Sequence, residues 1–153
     1  MQMRFEAENE FIRGAASGAI SAIAICLLSE LFELLSLTKF CWLYLAGQAV
    51  MNFQHSFWQS VFSFLIHLGV GSFWGVFIAF LFSKVFTGRY YLLKGLAIGF
   101  AIFFLHFGLL AQPFHYRPDL RTDFPTLLTH FLSYLLYGSL TAFLLHKLPF
   151  KPH

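Results

Sequence analysis

Charge is what this sequence has least of. Asp, Glu, Lys and Arg make up 11% of the 153 residues, against roughly 25% in an ordinary soluble domain. Residues 40–83 pass without one of the four. Such scarcity excludes a water-soluble globule, which could not hide the apolar surface left behind. Cysteine is also scarce: Cys26 and Cys41 stand fifteen apart with no C-x-x-C pair. A disulfide framework, a zinc ribbon and a paired-cysteine oxidoreductase are therefore excluded, and both thiols read as small apolar packing residues. Basic runs are missing too. The net charge is +3, but the ten Lys and Arg are scattered singly, so no stripe exists to track phosphates and no nucleic-acid partner is expected. Neither a G-x-S-x-G elbow, a phosphate-cradling Gly-rich loop nor an H-E-x-x-H pair occurs. Hydrolysis and acyl transfer thus have no footing, and any enzyme activity would have to arise from polar residues inside the apolar segments.

What the chain does have is 58% hydrophobic residues, 20% aromatic residues and 22 Phe. The mean hydropathy is +0.69. A spanning helix needs roughly 20 mostly apolar residues to cross about 30 Å of hydrocarbon. Four stretches qualify, at about residues 14–37, 57–83, 91–111 and 125–146. The acidic opening with Glu6, Glu8 and Glu10, and the presence of Glu30 and Glu33 in the first run, argue against a cleaved leader. Residues 40–53 hold Trp42 and Tyr44, the aromatic types of a membrane belt, but at about 21 Å this segment is too short to cross. It reads as an interfacial or re-entrant helix. The predicted fold is an all-α, polytopic four-helix bundle, a single integral membrane domain with this one extra short helix.

Charge placement orients it. With four spans, Arg4, Arg13, Lys84, Arg89, Lys94, Lys147 and Lys151 share one side, and Lys39, Arg117 and Arg121 the other. Seven against three places both termini in the cytoplasm of a plasma membrane by the positive-inside rule. The connection at residues 112–123, with two Pro and alternating charge, reads as a solvated outer lid. Pro125 suits the first turn of the last helix, with Asp123 as its cap.

Close packing through small residues must supply much of the cohesion in lipid. Gly14, Gly18, Ala22, Cys26, Glu30 and Glu33 fall on one face of the first helix. His67, Gly71 and Gly75 do so on the second, Gly95, Gly99 and His106 on the third, and His130, Tyr134, Gly138 and Thr141 on the fourth. Counting inward at about 1.5 Å per residue places Glu30, Glu33, His106 and His130 in one layer of the outer half, with His67 just beneath. An ionised side chain in hydrocarbon costs at least about 2.5 kcal/mol, so these groups should turn inward and meet. The candidate cluster is Glu30, Glu33, His67, His106, His130 and Tyr134.

Four readings of that cluster stay open. The residues fasten the bundle of a small accessory or structural protein, uncharged and bonded to one another. They form a first shell for a divalent metal such as zinc, manganese or iron. They line a proton or metal-ion path in a transporter or channel component, which with only four helices would need a dimer. Or two histidines, His67 with His106 or His130, hold a haem. His55 and His115 flank the same outer surface and could guide ions inward. The lipid bilayer is the one partner implied directly; a second copy or another membrane protein is the other.

The order R-G-A-A-S-G-A from Arg13, the Trp-bearing half-helix, H-L-G-V-G-S-F-W-G from His67, L-K-G-L-A-I-G-F from Leu93 and L-L-T-H-F-L-S-Y-L-L-Y-G from Leu127 resembles the small bacterial inner-membrane proteins of the YqhR and YagU kind. The resemblance implies a multi-pass protein of a bacterial plasma membrane and no particular reaction.

Overall fold

A computed structural model of the chain describes residues 2–51, 54, 56–86, 89–110 and 123–147, with the backbone alone at residues 2–8 and 110. His55, His115, the outer-loop residues Arg117, Asp119 and Arg121, and the terminal Lys151 and His153 lie outside the described residues. Among those described, all regular structure is helical: α1 (Gln2–Leu34), α2 (Trp42–Gln48), α3 (Phe57–Lys84), α4 (Tyr91–Phe103) with a π-helical continuation (Phe104–Leu110), and α5 (Phe124–Lys147). Four of these elements are long and apolar enough to cross a membrane: Asn9–Leu34, Phe57–Lys84, Tyr91–Leu109 and Phe124–Lys147.

The ends have local causes. The first span was expected to reach residue 37 but stops at Leu34. There Ser36 adopts a left-handed φ of 57°, its N–H bonds to the Glu33 carbonyl at 2.9 Å, and Leu37 N–H reaches back to Phe32 O at 2.9 Å. That pair of reversed bonds is a Schellman stop, which satisfies carbonyls a helix end would otherwise leave bare. At the start of α3, Ser56 accepts from Gln59 N–H. At the start of α5, Asp123 accepts from the amide of Thr126 at 3.2 Å, and Pro125 occupies the first turn. The third span was expected to be an unbroken α-helix to residue 111. Instead it widens into a π-helix from Phe104, a distortion that sequence periodicity does not announce.

The segment 40–53 forms a helix of seven residues, Trp42–Gln48, shorter than its apolar length suggested. Trp42 is no belt residue: it is buried with Leu45 and Gly47 against α3 and α1.

Close backbone packing joins α3 to α1, α1 to α5 and α5 to α4, while α3 and α4, at the two ends of this row, make no such packing with each other. Glycine sets the two tightest seams. Gly14 and Gly18 of α1 face Gly71 and Gly75 of α3, and Gly95 and Gly99 of α4 face Gly138 of α5. A Cβ at Gly14 would stand 2.6 Å from the Val76 Cα, and one at Gly95 2.6 Å from the Gly138 oxygen. No backbone can yield there without parting the helices. Gly69, by contrast, has open space around it. Gly75→Ala and Gly99→Ala should each cost about 1–3 kcal/mol of stability in detergent unfolding, whereas Gly69→Ala should cost nothing and raise it by up to about 1 kcal/mol. Equal effects at all three sites would contradict this packing.

Candidate functional site

Three of the polar residues of the spans, His67, His130 and Tyr134, gather around an indole that comes from outside the spans. The loop before α2 is strapped to the head of α5. Lys39 Nζ lies 2.6 Å from Asp123 Oδ1, Lys39 N–H donates to Thr126 Oγ1 at 3.0 Å, Thr38 and Thr126 hydroxyls meet at 3.2 Å, and the Thr126 hydroxyl donates to Asp123. The strap fixes the backbone so that the Phe40 carbonyl accepts from His130 Nε2 at 3.0 Å. Two residues on, the Trp42 amide donates to Ser29 Oγ of α1 at 3.0 Å. The α2 helix thereby starts beside α1, and the Trp42 ring packs against α3 and α5.

Its ring stacks on His67 at 5.5 Å, meets His130 edge-on at 4.8 Å and meets Tyr134 edge-on at 4.9 Å. Each imidazole has a defined protein partner. His67 Nε2 donates to the Ala22 carbonyl at 3.0 Å, which ties α3 to α1. His106 Nδ1 bonds to the Tyr134 hydroxyl, which ties the π-helical segment to α5. The Tyr137 hydroxyl donates to the Gly71 carbonyl at 2.5 Å, tying α5 to α3 at the glycine that admits its approach. His130 Nδ1 and Trp42 Nε1 are buried with no hydrogen-bond partner among the described residues.

Against α3 this arrangement leaves a cavity of about 180 Å³, lined by Trp42, His67, Trp74, His106, Tyr134 and Tyr137 among apolar side chains of α1, α2, α3 and α4. Trp74 and His106 meet edge-on in its wall, with ring centroids 5.7 Å apart.

Glu30 and Glu33 stand apart from the imidazoles. Their carboxylates converge on the Cys41 thiol, with one candidate ligand atom from each of the three lying within 4.8 Å of the others. Burial is the largest influence on that thiol, and hydrogen bonds to Glu30 and Glu33 add to it, all pushing its pKa up. Glu30 Oε1 is buried with no hydrogen-bond partner among the described residues. The single layer expected from helix counting is therefore two groups. The physical reason lies in the segment 38–42: its thiol engages the carboxylates, and its indole fills the space between His67 and His130. A haem plane spanning those two histidines would have to displace Trp42.

Sequence reasoning found the four spans' ionisable residues and missed Trp42, Cys41 and Ser29, the residues that organise them. Cys41 was set aside because no second cysteine stands at ligand spacing; only folding brings it to Glu30 and Glu33. Trp42 carried a signal that was misread, since an indole in a segment too short to cross can be an inserted plug as readily as an anchor. No protein-family model, curated protein or solved structure matches the chain.

The strap has a pH signature. The Lys39 ammonium first, and then the Thr126 hydroxyl and amide, hold the Asp123 carboxyl below its ordinary range. A group whose folded pKa is lowered contributes stability that is fully present above its unfolded pKa, about 4, and is lost as the pH falls through the folded one. Asp123→Asn should accordingly lower the melting temperature at pH 7, with the gap to the unaltered protein closing as the pH falls below about 4. A gap that stays constant with pH would contradict the ion pair.

Proposed function

We propose that the chain is a small accessory protein of a bacterial plasma membrane. It crosses four times with both termini cytoplasmic, its α2 helix is re-entrant, and its buried Glu, His and Tyr side chains fasten the spans to one another. The observation that carries this reading is that His67 and His130 both end on backbone carbonyls, those of Ala22 and Phe40. A carbonyl accepts a hydrogen bond and passes no proton on, so these two imidazoles suit cross-linking better than relay. The re-entrant reading of α2 is supported by the contact of Trp42 with His67, ten residues into α3 and so about 15 Å from its start. The bacterial location is supported by the layout of glycine and histidine that resembles proteins of the YqhR and YagU kind.

The experiment compares His67→Leu and His130→Leu with the unaltered chain in two assays. Each variant leaves a carbonyl short of a donor and should lose about 1–3 kcal/mol of stability, while liposomes containing the unaltered protein should leak protons no faster than empty ones. Proton flux that requires His67 or His130, with stability unchanged, would instead establish a conduit.

A second reading has its own observation: Glu30, Glu33 and Cys41 offer two carboxylate oxygens and a thiol within reach of one ion. Carboxylate with thiolate suits zinc, and binding would have to displace the thiol proton. Protein purified from zinc-supplemented cells should then carry about one zinc per chain, lost on Cys41→Ser. Metal-free protein, or zinc retained in Cys41→Ser, would reject this site.

A further inference from the structure

We infer that the cavity lined by Trp42, His67 and His106 binds a lipid-soluble ring compound of the quinone or quinol class. This goes beyond the fastening role, because the nitrogens that fasten are not the ones the ligand would use.

The cavity is reached from the lipid side. Its walls come from α1, α2, α3, α5 and the end of α4 with its π-helical continuation, and its exposed lining residues are Ala49, just past α2, and Val70 of α3. A molecule dissolved in the bilayer can enter beside Val70 and Ala49 without crossing a charged surface. At about 180 Å³ the space suits one ring: an apolar cavity of about 150 Å³ is enough for benzene. A hydrocarbon tail would extend through that opening.

The walls point to a ring and not to an acyl chain. Trp42, Trp74, Phe107 and Tyr134 present aromatic surfaces, on which a flat conjugated ring gains stacking that a flexible chain does not. Two imidazoles supply the hydrogen-bonding ends. His67 Nε2 is committed to the Ala22 carbonyl as donor, so Nδ1 of the uncharged ring is an acceptor, suited to a quinol hydroxyl. His106 is held through Nδ1 by Tyr134; with the Tyr134 hydroxyl donating, His106 carries its proton on Nε2 and donates to a carbonyl. Both residues line the cavity. A quinol meets both, one hydroxyl donating to His67 Nδ1 and the other accepting from His106 Nε2, whereas a quinone meets His106 alone. His106 also sits in the π-helical segment Phe104–Leu110, and π-turns recur where a helix must present a side chain to a ligand.

The test uses the full chain in lipid nanodiscs with decylubiquinone as the probe, in a Trp58→Phe background. Trp58 is 77% exposed, whereas Trp42 and Trp74 line the cavity. Tryptophan quenching should saturate at about one probe per chain, be reversed by decylubiquinol and be unmoved by hexadecane. Ala46→Phe, which fills the cavity from α2, and His106→Phe, which removes the donor, should each weaken binding about tenfold or more in protein that melts as the parent does. Quenching that rises linearly without saturation would overturn the site, and so would equal binding by both folded variants. Competition by hexadecane would overturn the ring class in favour of an acyl chain, a result the unaltered chain gives even if neither variant folds.

Discussion

Hydrocarbon offers no hydrogen bonds, so a polar group carried into the spans is costly unless it finds a partner in the protein. The arrangement of this chain follows from that constraint. His67 bonds to a carbonyl of α1, His130 to a carbonyl of the loop before α2, Tyr137 to a carbonyl of α3 and His106 to Tyr134. Every one of these bonds joins two different elements. Glycine makes them reachable: backbones that touch at Gly18 and Gly75, or at Gly99 and Tyr134, leave the side chains above and below only a short distance to span.

The same constraint explains the segment between the first two spans. A seven-residue helix cannot cross a bilayer, yet it packs against α3 and α1 because its first turn is tied down on both sides. Ser29 receives the Trp42 amide, and the Asp123–Thr126 head of α5 receives Thr38 and Lys39. Once so held, one indole touches residues of α3 and α5, and the open side of the helix row becomes a walled cavity.

The sequence is readable where the physics is one-dimensional. Four apolar runs long enough to cross are visible by counting, and the second and fourth agree with α3 and α5 to within a residue at each end. Glycine spacing on single helices could also be read, because it depends on a helical period alone. What could not be read depends on three dimensions. Helix counting measures depth but not azimuth, so it placed Glu30 and Glu33 in one layer with His106 and His130 without showing that Cys41 intercepts the carboxylates. The stop at Leu34 turns on Ser36 taking a left-handed conformation, which serine seldom does. The widening at Phe104 has no proline or other breaker to mark it.

The account depends most on the two imidazole-to-carbonyl bonds at the centre. Solid-state nitrogen NMR of histidine-labelled protein in bilayers reads ring protonation directly, and carbon labelling of Ala22 and Phe40 adds the through-space link. The account predicts His67 and His130 protonated on Nε2 and bare on Nδ1, each Nε2 correlated with its carbonyl. Imidazolium signals at neutral pH, or Nδ1-protonated rings with no contact to those carbonyls, would contradict it.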